Sequence, residues 1–330
     1  MIFLYFIVTL ALIFDFINGF HDSANSIANV VSTKVLSPLA AVAAAAFFNF
    51  IAFTIFPMKV AKMMGIGVVE TDVININVIG AALIAAIIWN LLTWWWGLPS
   101  SSSHTIVGGL IGGAVASSGF GAVIAGGVIK IIAFIFIAPL MGMILSHAIS
   151  TFIMWIFRKV APANIDKIFR RLQLVSSSAL SLGHGGNDAQ KSMGIIWMAM
   201  LLSNLATKDS AIPLWVKMSC QTAIALGTLF GGWRIVKTMG QKITKIKPFE
   251  GFSAETAGSI TLFIATHWGI PVSTTHTITG AIIVVGARRG VSAVRWGVTK
   301  KIFWAWILTI PISGIIGGLM YLFLSFVHPL

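Results

Sequence analysis

Runs of apolar residues, most of them near the length that crosses a bilayer, recur from one end of this sequence to the other. They cover Ile2–Ser32, Pro38–Phe56, Val73–Trp96, Leu98–Ser118, Gly121–Phe157, Leu172–Leu205, Pro213–Trp233, Gly251–Gly269, Ile270–Gly286 and Ile302–Phe326. A hydrocarbon core about 30 Å thick takes about 20 helical residues. Lipid offers no hydrogen bonds to the backbone, so runs of this kind fold as helices packed on one another. Composition agrees: 57% of the residues are hydrophobic and 9% charged, against about 25% charged in soluble domains. The single cysteine, Cys220, excludes a disulfide scaffold. The expectation is an all-α polytopic membrane protein of about 10–12 membrane segments. Gly121–Phe157 is too long for one upright crossing; it is expected to tilt, break at Pro139 or follow a re-entrant hairpin. The first run has no basic flank and carries polar residues, so it does not read as a cleavable signal peptide.

The net charge of +13 is unevenly distributed. Residues 158–171 carry net +4, residues 234–250 net +4, residues 288–301 net +5, and Lys34 adds one more. Those four places exceed the whole-chain charge, so the remainder is slightly acidic. The ten runs put all four on one side. By the positive-inside rule that side is the cytoplasm, in an integral plasma-membrane protein with both termini outside. The basicity then reports topology, and no nucleic-acid partner is expected.

Two polar motifs occur twice. Asn18-Gly-Phe-His21-Asp22-Ser-Ala-Asn25-Ser aligns with His184-Gly-Gly-Asn187-Asp188-Ala-Gln-Lys191-Ser at an offset of 166, with three identities in nine. Gly97-Leu-Pro99-Ser-Ser101-Ser102-Ser103-His104-Thr105 aligns with Gly269-Ile-Pro271-Val-Ser273-Thr274-Thr275-His276-Thr277 at an offset of 172. The near-constant offset indicates duplication. Residues 1–157 form the first repeat, 158–171 a basic cytoplasmic linker and 172–330 the second repeat. An odd number of crossings per half makes the repeats inverted. Inverted repeats with interrupted or re-entrant helices, and a substrate site near the midplane where they meet, are the build of secondary transporters.

The motifs carry the chemistry. Asp22 and Asp188 sit at equivalent places inside apolar runs, where a carboxylate costs about 2.5–3.5 kcal/mol on insertion scales. Each needs a partner, a cation or a task. Gly19, Gly185 and Gly186 beside them are expected to let the helices unwind and free backbone groups for ligation. Each proline-led cluster reads as a helix start, whose unpaired N–H groups and positive dipole end attract an oxyanion. Ser101, Ser102, Ser103 and Thr105, with Ser273, Thr274, Thr275 and Thr277, add hydroxyl donors. The plainer alternative is capping and close helix packing. His104 and His276 end the clusters either as packing residues or as site residues. No His-x₃-His or cysteine pairing suggests a metal site. Lys191 stands where the first motif has Asn25, to meet an anion or to neutralise Asp188. Glu255 has no acidic counterpart in the first half, where Leu83 aligns; it binds a coupling cation or proton, or lies near the cytoplasmic surface. Tryptophans 94–96, 296, 304 and 306 fit an interfacial belt.

Together the four motifs closely resemble those of the PiT family of inorganic phosphate transporters, in order and spacing, across the whole chain. The shorter bacterial members, without a large central cytoplasmic domain, are the most similar. The resemblance implies an inverted-repeat fold, symport of phosphate with Na+ or H+, no cofactor and a homodimer in membrane lipid. It places Asp22, Asn25, Asp188 and Lys191 in the substrate and cation region, with His21 and Asn187 of the same motifs in supporting positions, and the Ser101–Thr105 and Ser273–Thr277 segments around phosphate. Asn49, in Phe47-Phe48-Asn49-Phe50, stands where sodium-coupled animal relatives carry a glutamate, whereas Glu255 matches an acidic position of those relatives. Bacterial members with Phe-His-Asp in the first motif are regarded as proton-coupled carriers, some of metal–phosphate.

Phosphate near neutral pH keeps a donor hydroxyl and sulfate has none, so buried carboxylate acceptors favour phosphate. Sulfate or another oxyanion is the near alternative, and a passive channel a further one. An intramembrane hydrolase is disfavoured: adjacent serine and histidine side chains point apart on a helix. A nucleotide-driven pump is disfavoured because no Gly-x₄-Gly-Lys-Ser/Thr loop appears.

Overall fold

The computed structural model describes residues 2–328; Met1, Pro329 and Leu330, the outer ends of the two expected repeats, lie outside the described residues. Twelve α-helices and a few single turns make up the described chain. They are α1 (Ile2–Ser32), α2 (Pro38–Ile51), α3 (Lys59–Ile66), α4 (Ile76–Trp96), α5 (Ser102–Ser118), α6 (Ala125–Ile156), α7 (Pro162–Leu202), α8 (Leu214–Phe230), α9 (Trp233–Lys237), α10 (Pro248–His267), α11 (Thr274–Ala287) and α12 (Trp296–Val327). Helices α1, α4, α6 and α12 are each long and apolar enough to cross a membrane, and α2 and α3, bent by 80° from each other, make either a broken span or a re-entrant loop.

The order of the helices sorts the polar chain to two ends. Arg170 donates to the carbonyls of Thr33 and Lys34. Arg289 pairs with Glu250 at 3.3 Å and reaches Thr244, whose hydroxyl donates to Ala293 O. The basic places are thus tied in two pairs, Arg170 to the Lys34 turn and residues 288–301 to residues 234–250. Near the chain ends, Phe3 and His328 meet edge to face with ring centroids 4.5 Å apart, and Asn77 donates to His328 O.

Two helical hairpins dominate the interior. Helix α4 ends at Gly97, whose φ of 65° turns the chain in the left-handed region, and α5 returns along it, Gly109 lying on Ala82. Helix α10 and α11 repeat the arrangement around Gly269, φ 73°. After each turn the chain runs extended through the proline and restarts as a helix at Ser102 or Thr274. At 17 and 14 residues the two returning helices are only about 25 and 21 Å long. They begin inside the protein.

Several expectations are corrected. No helix unwinds at Gly19, Gly185 or Gly186: α1 and α7 run unbroken through them. Those glycines admit neighbours instead. A Cβ at Gly19 would lie 2.2 Å from Ile224 O, and one at Gly185 2.5 Å from Asn49 O. Close backbone approach of this kind is how membrane helices associate without a hydrophobic drive. Gly121–Phe157 neither breaks nor doubles back; α6 continues for 32 residues with Pro139 inside it, packed on Gly280. Pro162 opens α7, so residues 162–171 of the basic segment are that helix's first turns.

Candidate functional site

The starts of α5 and α11 meet between α1 and α7, and Asp22, Asn25, Asp188, Lys191, Ser102, Ser103, Thr274 and Thr275 of the four motifs are bonded to one another there. Ser101 and Ser273 cap the two helices identically, each hydroxyl accepting from the backbone N–H three residues on at 3.2 Å. Thr105 and Thr277 turn back, donating to Ser102 O and Ser273 O. The residues between face the acids. Ser102 Oγ donates to Asp22 Oδ2 at 2.8 Å, Thr275 Oγ1 to Asp22 Oδ1 at 3.4 Å, and Thr274 Oγ1 to Asp188 Oδ2 at 3.2 Å. Asn25 Nδ2 donates to both Thr274 and Thr275 at 3.0 Å, tying α1 to the first turn of α11. Ser103 Oγ donates to Val272 O at 3.0 Å, so the two hairpins touch.

Lys191 bridges the same elements. Its ammonium donates to Asp188 Oδ1 and Ser103 Oγ, and to Val272 O at 3.3 Å. Lys191 and Asp188 are both 0% exposed, a burial tolerated only for charges that are paired and hydrogen-bonded.

Two histidines brace the carboxylates. His21 Nδ1 lies 2.6 Å from Asp22 Oδ1, and its Nε2 bonds Thr93 at 3.1 Å. His184 Nε2 lies 3.1 Å from Asp188 Oδ2, and its Nδ1 is 3.2 Å from Asn49 Oδ1. Asp22, His184 and Asp188 each offer one donor atom within 4.8 Å of the others. Such a set can hold a cation; His184 and Asp188 lie four residues apart on α7, and Asp22 is brought to them from α1. Asn187 donates to Thr266 and Ile270 O and props the second hairpin.

The remaining candidates lie outside this cluster. His104 and His276 touch each other, ring centroids 4.8 Å apart, and His276 stacks on Trp306 at 4.1 Å. They form a packed contact between the repeats behind the helix starts. Glu255 lies toward the basic end, accepting from Gln173 Nε2 at 3.0 Å and Ser176 Oγ at 2.5 Å. Asn49 donates to Thr228 and reaches the cluster only through His184.

One residue of this region escaped the sequence reading. Asp15, on α1 and fully buried, accepts from Ser192 Oγ at 2.6 Å. It lies outside the repeated motif, which begins at Asn18, so the duplication does not single it out. The available clue was its spacing, seven residues before Asp22, which sets both acids on one helical face.

The model of the phosphate transporter family matches residues 18–164 and again residues 158–317. A probable low-affinity inorganic phosphate transporter of Rhizobium meliloti is 53% identical over 315 residues, covering 96% of this chain and 94% of that protein. One of Bacillus subtilis is 46% identical over 323 residues, with 97% of each covered. A solved structure described as the sodium-dependent phosphate transporter superposes with a TM-score of 0.88 at 25% identity, over 99% of this chain and 100% of that one.

Proposed function

The chain belongs to the phosphate transporter family, and from that premise we propose that it carries inorganic phosphate by symport with a cation, with access alternating about the cluster at the starts of α5 and α11. The observation that carries this reading is the convergence of two helix N-termini, one from each repeat, on Asp22 and Asp188. Helix starts attract an oxyanion through backbone N–H groups and the dipole. The serines and threonines at 102, 103, 274 and 275 add hydroxyl donors, and Lys191 one full positive charge.

Electrostatics account for the cation. Two carboxylates and one ammonium leave the cluster poor in positive charge. A phosphate dianion brought there meets the carboxylates in a medium where Coulomb forces are weakly screened. It enters with compensating cations, and Asp22, His184 and Asp188 are the group suited to hold one. Glu255, bonded to neutral groups only, is a second place for a cation. The carboxylates favour phosphate over sulfate, because a protonated phosphate oxygen donates to them and sulfate has no hydrogen to give. On this reading the basic loops face the cytoplasm and both chain ends lie outside.

The test is radiolabelled phosphate uptake into proteoliposomes, with sodium and pH gradients imposed separately and sulfate as competitor. Gradient-driven uptake is expected, resistant to sulfate and lost in Asp22→Asn and Asp188→Asn that remain folded. Wild-type rates in both variants would remove the acidic site from the mechanism.

A further inference from the structure

Asp15 is fully buried within α1, and its hydrogen bond from Ser192 occupies only Oδ1. Its other oxygen, Oδ2, accepts from no hydroxyl or amide, and the Cys220 thiol is the carboxyl's remaining polar neighbour. One turn on, Asn18 is 0% exposed and neither its amide nitrogen nor its amide oxygen has a partner. A buried polar group is ordinarily hydrogen-bonded, and an amide with both ends free marks a place for water or a passing ion.

Their spacing shows what that place connects. Asp15, Asn18 and Asp22 fall at i, i+3 and i+7, on one stripe of α1. Ser192, Asp188 and His184 fall at steps of four along α7. The stripes face each other at two levels: Asp15 with Ser192, then Asp22 with Asp188 and His184. Asn18 sits on the α1 stripe between those levels. Seven residues of helix separate Asp15 from Asp22, about 10 Å, and Asp15 is on the side of the chain ends, away from the basic loops.

The groups facing Asp15 are few. Helix α7 contributes Asp188 and Lys191, both engaged with each other, and α8 the Cys220 thiol, which packs against the carboxyl. Lys217, one turn before Cys220 on α8, is partly exposed. Helix α1 itself adds His21 and Asp22 further on. Helices α2 and α4 have no titratable side chain. Arg234 and Lys237 of α9 and Lys242 after it pack toward the basic end of α1, and His276 of α11 and Glu255 of α10 lie beyond the central cluster. Asp15 therefore has no counter-cation of its own. A hydroxyl, a thiol and an amide supply too few hard oxygens for an alkali ion.

We propose that Asp15 is a proton-binding residue on the outer approach to the central cluster, loaded from the side of the chain ends and unloaded past Asn18 as phosphate is carried. An O–H bond forms on Oδ2 as a proton arrives from the side of the chain ends. It breaks as the proton leaves inward past Asn18 to an oxygen of the phosphate dianion being carried, and the Asp15 carboxylate is restored. No redox partner is involved. The inference rests on the transport reading above and names its coupling ion.

The experiment compares wild type with Asp15→Asn and Asp15→Glu in proteoliposomes, measuring phosphate–phosphate exchange without a gradient and net uptake under an imposed pH gradient. One pH unit stores about a tenfold driving ratio per proton, and wild-type accumulation is expected to follow it. Asp15→Asn is expected to keep exchange and lose the response to the gradient; Asp15→Glu is expected to keep both. A full gradient response in Asp15→Asn overturns the proposal, as does loss of exchange together with the gradient response in a folded Asp15→Asn. Wild-type uptake driven by sodium and indifferent to pH overturns it while leaving the transport reading standing; absence of wild-type exchange removes both. Should Asp15→Asn fail to fold, infrared difference spectra on acidification decide. The carboxylic acid band of wild type is expected to move in Asp15→Glu, and an unmoved band refutes the assignment.

Discussion

Replacing Lys191 with methionine tests whether the ammonium is an electrostatic keystone or a ligand in waiting. Methionine keeps most of the aliphatic stem and removes the charge. Three contacts go with it, to Asp188, to Ser103 and to Val272 O, which between them tie α7 to both hairpins. Breaking a buried ion pair by removing one partner costs about 3–5 kcal/mol, because the survivor stays buried and uncompensated. Here Asp188 retains the Thr274 hydroxyl and the nearby His184 imidazole, so the lower part of that range, about 3 kcal/mol, is expected. Removing both charges is another matter. An ion pair replaced by groups of similar volume is often neutral in stability, so Lys191→Met with Asp188→Asn is expected to recover most of the loss. The assay is a double-mutant cycle: thermal unfolding of the four purified proteins in one detergent, with phosphate uptake measured alongside. Uptake is expected to stay abolished in the double variant even as stability returns. Purely additive destabilisation would refute the reasoning, because two groups in direct contact ought to couple.

Two further outcomes are expected. Asn25→Ala removes both donors to Thr274 and Thr275; at about 1 kcal/mol per bond, the phosphate concentration for half-maximal uptake rises about tenfold or more, read from initial rates. Gly112→Ala places a Cβ 1.8 Å from Gly314 O, a backbone atom that cannot rotate away; α5 and α12 separate at a cost of about 3 kcal/mol or more, seen as aggregation on size-exclusion chromatography in detergent.

The four motifs were legible because they rest on local grammar, a proline and then hydroxyls at a helix start, whereas the left-handed turns at Gly97 and Gly269 show only in the structure. The offset between the copies carried the rest of the central site. Other features depended on what packs against what. Gly19 and Gly185 look the same in sequence whether they unwind a helix or let a neighbouring backbone in, and only Ile224 and Asn49 on their far sides decide it. Pro139 reads as a break, yet α6 continues through it against Gly280. Asp15 acquires meaning only when Ser192, 177 residues away, is brought to it.

The groups best placed to draw an anion to the centre of this protein belong to no particular amino acid. They are peptide N–H groups at the starts of α5 and α11, present whatever side chains those residues bear so long as the turns hold. General attraction for oxyanions is therefore built into the backbone and hard to lose by substitution. On the proposed reading, discrimination among oxyanions rests on side chains, chiefly Asp22 and Asp188. A scaffold divided in this way can change its cargo without rebuilding its site, and on that reading the shortest route from one oxyanion to another runs through two codons.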